Sequence, residues 1–189
     1  MTDKDRTFFK SFRTVAKAIS SSLEVKEVLE MMVTHVAQVM HLKACAIRLL
    51  HAKRRTLELV ASYGLSERYI RKGPVDADRS IAEAMEGKIV CVRNVPEDPR
   101  AQYPESAVEE GIVSMLSVPL ALKGRVIGVM RLYTAVPRDF DEDELDFAEA
   151  LAEMGAIAIE NARMYERIKK DYESLMSDVY SFVGYRRGI

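Results

Sequence analysis

SMLSVPLALKGRVIGVMRLY, residues 114–133, is the stretch that decides the fold. Two short apolar runs, Ser114–Leu122 and Val126–Tyr133, are rich in Val, Leu and Ile, and the turn Lys123-Gly124-Arg125 joins them. This pattern is typical of two paired strands. Because Pro119 donates no backbone hydrogen bond, we expect the first strand to be bulged or open on one side at that point.

Helical and strand patterns flank this pair of strands. Apolar residues recur at helical spacing in three segments, which we predict to be helices: residues 5–20, about Val25–His41 and the stretch after Pro137. Short runs of apolar residues predict three more strands: Ala44–His51, Thr56–Tyr63 and Ile89–Val92. Asp141 and Glu144 have the spacing of a capping box at the start of the last helix. The order of elements predicts one α+β domain with a helical layer on one sheet face and loops over the other.

The composition is that of an ordinary globular chain of 189 residues, with 48% hydrophobic and 30% charged residues. The formal net charge of −1 gives no reason to expect nucleic acid or a membrane as a partner. No apolar run approaches the roughly 20 residues that a membrane span needs, and the charged N-terminal stretch lacks the apolar core of a signal peptide. Cys45 and Cys91 lie in predicted strands, and we expect reduced thiols in a cytoplasmic protein.

Five segments, in this order and at these spacings, resemble the GAF domain family. They are LEVKEVLEMMV in the second helix, LELVASYGL on the second strand, GKIVCVRNVPEDPR on the third, the strand pair quoted above, and FDEDELDFAEALAEMGAIAIENARMYE in the last helix. The resemblance covers residues 22–163, where it implies a GAF-like central antiparallel sheet. We expect residues 1–21 to be an N-terminal dimerisation helix and residues 164–189 to be a helical, coiled-coil-like extension.

The resemblance implies a sensory or regulatory domain without enzymatic activity, which binds a small molecule in a pocket between the sheet and its covering loops. It also implies dimerisation through the terminal helices and a signal passed to an attached output domain. For this chain we expect a homodimer, with a separate output protein as a further partner. A module that only dimerises or binds proteins, with no ligand, is the alternative interpretation. A redox or methionine-sulfoxide-reducing enzyme on the same fold is the third, which is disfavoured because the covering loops lack cysteine.

The motifs with which members of the family bind particular ligands do not match this chain. Asn94 is followed by Val95 rather than by the lysine of cyclic-nucleotide-binding members, and neither cysteine has the histidine neighbour of bilin-binding members. The three histidines lie on or near the second helix and at a hairpin end, away from the expected pocket: His35, His41 and His51. We therefore expect no cofactor and no metal, and we interpret the acidic run FDEDE as a helix start.

Side chains alternate between the two faces of a strand, so a predicted register assigns each residue to a face. We pair Leu50 with Glu58 in the first two strands and Leu116 with Arg131 in the last two. The face toward the loops then forms the floor of the predicted ligand site, with these residues: Arg48, Glu58, Ser62, Leu116, Val118, Arg131 and Tyr133. Two arginines on one face need a salt bridge with Glu58 and solvent, or an anionic ligand, to offset their burial.

Other predicted ligand-site residues lie in the covering segments and at the pocket edge: Tyr63, Ile81, Met85, Tyr103 and Val108. These residues line a pocket, or they cap the sheet as ordinary core, and the sequence leaves both interpretations open.

A second apolar pattern lies on the terminal helices. Residues of the last helix alternate by four and three, as in the seam of a coiled coil continued past the domain: Asn161, Tyr165, Ile168, Tyr172, Leu175, Val179 and Phe182. The first helix offers a matching stripe: Phe8, Phe12, Val15 and Ile19. We predict that these residues form a homodimer interface, and the alternative is that the two helices pack only within one chain.

Overall fold

The computed structural model describes residues 3–21, 24–51, 53–78 and 81–186, apart from the side chains of Ser21 and of residues 177–186. The helices are α1 (Asp3–Ser21), α2 (Val25–Val39), α3 (Glu67–Ile70), α4 (Ala82–Met85), α5 (Pro104–Glu110) and α6 (Glu142–Arg186). The strands are β1 (Ala44–His51), β2 (Thr56–Tyr63), β3 (Val75–Asp76), β4 (Val90–Val92), β5 (Ser114–Leu122) and β6 (Arg125–Thr134). No helix within these ranges has both the length and the apolar character that crossing a bilayer requires.

The six strands form one antiparallel sheet in the order β3-β2-β1-β6-β5-β4. The long strands β1 and β6 are therefore neighbours at the centre of the sheet. The helices α1, α2 and α6 cover one face, and the short helices with their loops cover the other. The predicted α+β architecture is confirmed, with β3 as an additional edge strand inside a stretch that has no clear sequence period.

Two β-bulges decide which side chains face the loops. Val60 has no partner between the pairs Arg48–Leu59 and Ile47–Ala61, and Ile127 has none between Leu120–Gly128 and Ala121–Val126. Each bulge adds one residue to one strand, and a shift of one residue exchanges the two faces. The predicted register is therefore right on one side of each bulge and wrong on the other. The irregularity expected at Pro119 falls one residue later, after Leu120.

Three predicted ligand-site residues lie on the helical face because of these bulges: Glu58, Leu116 and Val118. Leu116 pairs with Leu132, and both Leu116 and Val118 are buried in the core beneath the helices. Glu58 pairs with Leu49 and Tyr63 pairs with Cys45, so neither side chain faces the loops, and both are exposed. The assignment of Leu116, Val118 and Glu58 to the loop face is wrong, and with it the expectation that Glu58 lies beside Arg48. Tyr63, predicted at the pocket edge, also lies on the helical face.

The apolar stripe of α1 packs within its own chain. Val15 is fully buried, and Phe8, Phe12 and Ile19 pack against the same core beneath the helical layer. Phe8 stacks on Phe147 of α6 with 4.3 Å between the ring centroids. The stripe therefore packs within one chain, as in the alternative interpretation, and a dimer interface that includes α1 stays a prediction.

The predicted capping box at the start of α6 is confirmed. The Glu144 backbone N–H donates to the Asp141 carboxylate at 3.0 Å, and the Asp141 N–H donates to the Glu144 carboxylate at 3.1 Å. Arg138 donates to the same Glu144 carboxylate and to the Met40 carbonyl oxygen at 2.7 Å. These bonds fasten the start of α6 to the end of α2 and so hold the helical layer together.

Candidate functional site

Two buried arginines occupy the loop face at the centre of the sheet. Arg48 on β1 is 3% exposed and Arg131 on β6 is 4% exposed. Arg48 pairs with Val129 and Arg131 pairs with Ala46, which places the two guanidinium-bearing side chains on the same face of adjacent strands. Their predicted position on the loop face is confirmed. Two like charges at such depth are costly unless a counter-charge or hydrogen-bond acceptors offset them.

A third cationic side chain reaches the same region from α3. Ser66 caps this helix by accepting from the Tyr69 N–H, and Glu110 of α5 accepts hydrogen bonds from the Ser66 N–H, at 2.8 Å, and from the Ser66 hydroxyl. These hydrogen bonds hold α3 in place. Lys72 lies two positions after Ile70, the last residue of the helix, and its side chain turns inward. The Lys72 Nζ atom lies 3.0 Å from the centroid of the Tyr69 ring and 5.9 Å from that of Tyr103.

Hydrogen bonds join the two covering segments above this cluster. The Tyr103 hydroxyl donates to the Pro74 carbonyl oxygen at 2.8 Å, and the Gln102 side-chain amide donates to the same oxygen at 3.1 Å. The Asp76 N–H donates to the Gln102 side-chain oxygen at 2.9 Å. Gly73 lies below the tyrosine with φ 128°, and a Cβ there would lie 2.6 Å from the Tyr103 hydroxyl oxygen. The covering segments are thus closed over the arginines.

The space left beneath this cover is small. The cavity has a volume of about 20 Å³, which is room for about one water molecule. Its lining combines a few polar groups with apolar walls: Tyr69, Lys72, Val75, Val95, Ala101, Gln102, Tyr103, Met115 and Arg131. A larger ligand needs the covering segments to move apart.

The electrostatics of the cluster is dominated by positive charge. Burial lowers the pKa of Lys72 to about 6, with further lowering by the charges of Arg48 and Arg131, while Glu110 acts in the opposite direction. Burial raises the pKa of the Tyr69 hydroxyl, as does Tyr133, so that this phenol stays protonated. The Tyr69 and Tyr133 rings meet edge to face, with 6.0 Å between their centroids.

Several polar atoms of the cluster lack a partner within the part of the chain that the structure describes. They are Nε and Nη2 of Arg48, Nζ of Lys72 and the hydroxyl of Tyr133. Buried polar groups are nearly always hydrogen-bonded, so these groups are available to an acceptor that enters the site. An anion with several oxygen atoms supplies such acceptors and offsets the positive charge.

The other predicted ligand-site residues have different positions. Ile81 and Tyr133 are buried in the loop-side core, Met85 packs against it, and Ser62 lies on the loop face opposite Ala46. Val108 is 60% exposed on α5 and lines no part of the cavity. Tyr103 does line it, as predicted. Whether any of these residues contacts a ligand stays a prediction.

Sequence reasoning missed Tyr69, Lys72 and Gln102. They lie in segments without helical or strand period, so no periodic signal assigns them to a face. The only available signal is the spacing Tyr69-x-x-Lys72, which places both side chains on one side of a single helical turn.

The C-terminal part of α6 carries the second candidate surface. Met164, Tyr165, Ile168, Tyr172 and Leu175 are large apolar side chains, each more than half exposed. Asn161 is exposed beside them, and the predicted seam residues Val179 and Phe182 have side chains outside the described part of the chain. Contiguous exposed apolar surface of this kind marks interaction sites in globular proteins.

Neither cysteine lines the loop-side cavity. Cys45 is buried on the helical face, where burial raises the pKa of its thiol, and Cys91 is exposed on the edge strand β4. The residues that the structure describes contain no group of His, Cys, Asp and Glu side chains that could hold a metal ion.

Comparison with known proteins places this fold in a family. The model of a family described as GAF domain matches residues 22–160. The methyl sulfide methyltransferase-associated sensor of Methanosarcina acetivorans is 26% identical over 163 residues, which is 82% of this chain and 16% of that protein. The formate hydrogenlyase transcriptional activator of Salmonella typhimurium is 22% identical over 182 residues, which is 93% of this chain and 26% of that protein. The chain thus spans about a quarter or less of these curated relatives.

Solved structures share the fold at low identity. The GAF domain from an Acinetobacter phosphoenolpyruvate-protein phosphotransferase has a TM-score of 0.72 at 24% identity, covering 87% of this chain and 97% of that one. The free methionine-R-sulfoxide reductase from Neisseria meningitidis has a TM-score of 0.72 at 18% identity, covering 87% and 95%. One of these two proteins is an enzyme and the other is a domain of a phosphotransferase, so the shared architecture does not by itself assign an activity.

Proposed function

The chain belongs to the GAF domain family, and from that membership we propose that it is a sensory and regulatory domain that binds a small anionic molecule. The ligand lies between the sheet and the covering segments, above Arg48 and Arg131. Relatives that are a sensor and a transcriptional activator support a regulatory role.

One observation carries this proposal: two cationic side chains, Lys72 and Arg131, line one closed cavity, and a third, Arg48, is buried on the same face of the sheet close enough to lower the pKa of Lys72. Arg48 and Arg131 are buried on the loop face, and Lys72 faces them from above with its Nζ atom buried. Guanidinium groups bind carboxylate and similar oxyanions through paired hydrogen bonds, and these hydrogen bonds are stronger where water is excluded. An anionic ligand would supply the acceptors that Arg48 and Lys72 lack in the described part of the chain.

The signal leaves the site through β6. On this strand Arg131 faces the ligand site, while its neighbours Met130 and Leu132 are fully buried beneath the helical layer. Protein interiors are close-packed, so a ligand that moves β6 also displaces the helices that pack on it. The helix α6 continues beyond the domain for residues 164–186, which is roughly 35 Å at 1.5 Å per residue. We propose that this extension forms a homodimer and hands the signal to a separate output protein.

We propose a non-enzymatic, cytoplasmic role. A sulfoxide-reducing enzyme needs a reactive thiol at its site, whereas Cys45 is buried on the opposite face of the sheet and Cys91 lies outside the cavity lining. Two free cysteines are compatible with the reducing cytoplasm.

A ligand-free interaction module is the second candidate, and the size of the cavity favours it. With about 20 Å³ the site holds roughly one water molecule in its closed form. Native mass spectrometry of the freshly purified protein separates the two candidates. An added mass that denaturation removes supports the sensor. The bare chain mass of 21.4 kDa, together with no binding of acetate or sulfate in calorimetry, would favour the interaction module.

A further inference from the structure

We propose that the loop-side site takes up a small oxyanion together with one proton, and that Lys72 is the group that receives the proton. This inference rests on the proposed function, because it concerns the same site. It adds the class of ligand, a compact oxyanion such as a carboxylate or sulfate, and a dependence of binding on pH.

The position of Lys72 is the first argument. Its Nζ atom lies directly over the Tyr69 ring, at 3.0 Å from the centroid, and it has no hydrogen-bond partner among the described residues. The Tyr103 ring lies on a second side at 5.9 Å. Aromatic faces attract a cation but accept hydrogen bonds only weakly, so they replace little of the hydration that an ammonium group loses on burial.

The charges around Lys72 are the second argument. Arg48 faces it from β1 and Arg131 from β6, and both repel a positive charge; Glu110 of α5 attracts it. The neighbouring hydroxyl of Tyr69 belongs to a phenol whose pKa burial raises, so it carries no charge. Burial and the two arginines hold the pKa of Lys72 at about 6, so above neutral pH the side chain is a neutral amine.

An entering anion reverses this balance. Its negative charge offsets the two arginines and gives the amine a strong acceptor, so the ammonium form becomes the favoured one. Nζ then takes one proton from solvent through its lone pair, no covalent bond to the anion forms, and the ammonium donates a hydrogen bond to an oxygen of the ligand. Binding and proton uptake are therefore linked, and each promotes the other.

The small cavity is the argument for a compact anion. Its volume of about 20 Å³ leaves no room for a base or a sugar, and the bonds from Tyr103 and Gln102 to Pro74 close the cover above it. A group of three or four heavy atoms with its charge on oxygen requires the smallest opening of that cover.

Isothermal titration calorimetry of the full chain with acetate and with sulfate tests the inference, because neither anion titrates between pH 7 and 8.5. Repeating each titration at pH 8 in buffers of different ionisation enthalpy counts the protons taken up. We expect about one proton per bound anion, and an affinity about tenfold weaker at pH 8 than at pH 7. Lys72→Arg carries a permanent charge and should bind with almost no proton uptake, whereas Lys88→Arg, at an exposed lysine, should behave like the wild type.

The outcomes separate this inference from the proposed function. Binding without proton uptake, or proton uptake that persists in Lys72→Arg, would show that Lys72 does not receive the proton. Neither result would contradict the proposed anion-binding function. If the wild-type protein binds neither acetate nor sulfate, the inference that the ligand is a small oxyanion is wrong. If native mass spectrometry also finds no added mass, the proposed sensor function is wrong as well. Circular dichroism of each variant shows that the fold is intact.

Discussion

Arg48 and Arg131 project from the same face of two neighbouring strands, since Arg48 pairs with Val129 and Arg131 pairs with Ala46. Nothing in the sheet requires charge at this depth, because the surrounding residues of that face are apolar or small. Burying two cations where Leu or Met would fit destabilises the empty domain. We therefore attribute the two buried cations to the binding of an anionic ligand.

Arg131→Ala should weaken the binding of sulfate by about 10- to 100-fold, because a hydrogen bond to a charged group is worth about 1.5–3 kcal/mol. Arg125→Ala is the matched control, since Arg125 lies on the same strand and is exposed at its start. Calorimetry at pH 7 compares the two variants. An unchanged affinity for sulfate in Arg131→Ala would contradict the proposal that this site binds an anion.

The sequence predicts the fold well because apolar residues recur at helical or strand spacing in most of its segments. The position of Arg48 and Arg131 on the loop face also follows from side-chain alternation. The faces of Glu58 and Leu116 do not, because bulges at Val60 and Ile127 exchange them. Both bulged residues are β-branched and ordinary in a strand, so the composition carries no trace of the irregularity.

Lys72 could not be predicted for a different reason. Its burial results from contacts between segments far apart in the chain, with the sheet below and Tyr103 above. A lysine in an aperiodic stretch is usually a solvated surface residue. Only the folded arrangement of the covering segments reveals its environment.

Lys72→Met should stabilise the ligand-free domain at pH 7 by about 1–3 kcal/mol, because it removes a poorly satisfied buried polar group. The pKa of Lys72 is lower in the folded chain, about 6, than its ordinary 10.5. Between these values the unfolded chain binds the proton and the folded chain does not, so the wild type gains stability as the pH rises. The advantage of Lys72→Met should therefore shrink from pH 7 to pH 9.

Urea unfolding at both pH values measures this difference. Lys88→Met, at an exposed lysine, should differ from the wild type by a nearly constant amount over the same range. An advantage of Lys72→Met that grows with pH would contradict the lowered pKa.

Gly128→Ala should destabilise the domain by about 2–4 kcal/mol. A Cβ at this position would lie 2.3 Å from the Arg48 carbonyl oxygen and 3.1 Å from the Leu49 Cα, and backbone atoms at the centre of the sheet cannot move aside easily. Gly155→Ala on α6 is the control. Its Cβ would meet the flexible end of Met32 at 3.2 Å, and alanine favours the helix by about 1 kcal/mol. Thermal unfolding should therefore separate the two variants, and equal losses would show that the β1–β6 spacing is not limiting.

Glu144→Gln should cost about 2–3 kcal/mol in unfolding free energy, because the largely buried Arg138 guanidinium loses its charged partner and keeps the Met40 carbonyl oxygen as an acceptor. The neutral amide still accepts from the Asp141 N–H, so the cap itself is largely kept. Glu149, an exposed residue further along α6, provides the control as Glu149→Gln and should change stability by less than about 0.5 kcal/mol. Matching losses in the two variants would mean that the Arg138–Glu144 pair is unimportant.

Ile168→Asp should dissociate the proposed homodimer, because it places a charge in the middle of the apolar surface formed by residues 164–175 of α6. Ile168 and Tyr172 are each 62% exposed, and no part of their own described chain covers them. The stripe of α1 is less accessible, since Val15 is fully buried and Phe8, Phe12 and Ile19 are partly buried within the chain.

Light scattering at tens of micromolar should give twice 21.4 kDa for the wild type and the single-chain mass for Ile168→Asp. Lys170→Asp changes an exposed residue on the other side of the same helix and should remain a dimer. A wild-type protein with the single-chain mass would contradict the proposed homodimer. The exposed surface of α6 would then be expected to bind a different protein. Dissociation of Ile168→Asp with unchanged sulfate binding would show that the ligand site is complete within one chain, as the positions of Arg48, Lys72 and Arg131 require.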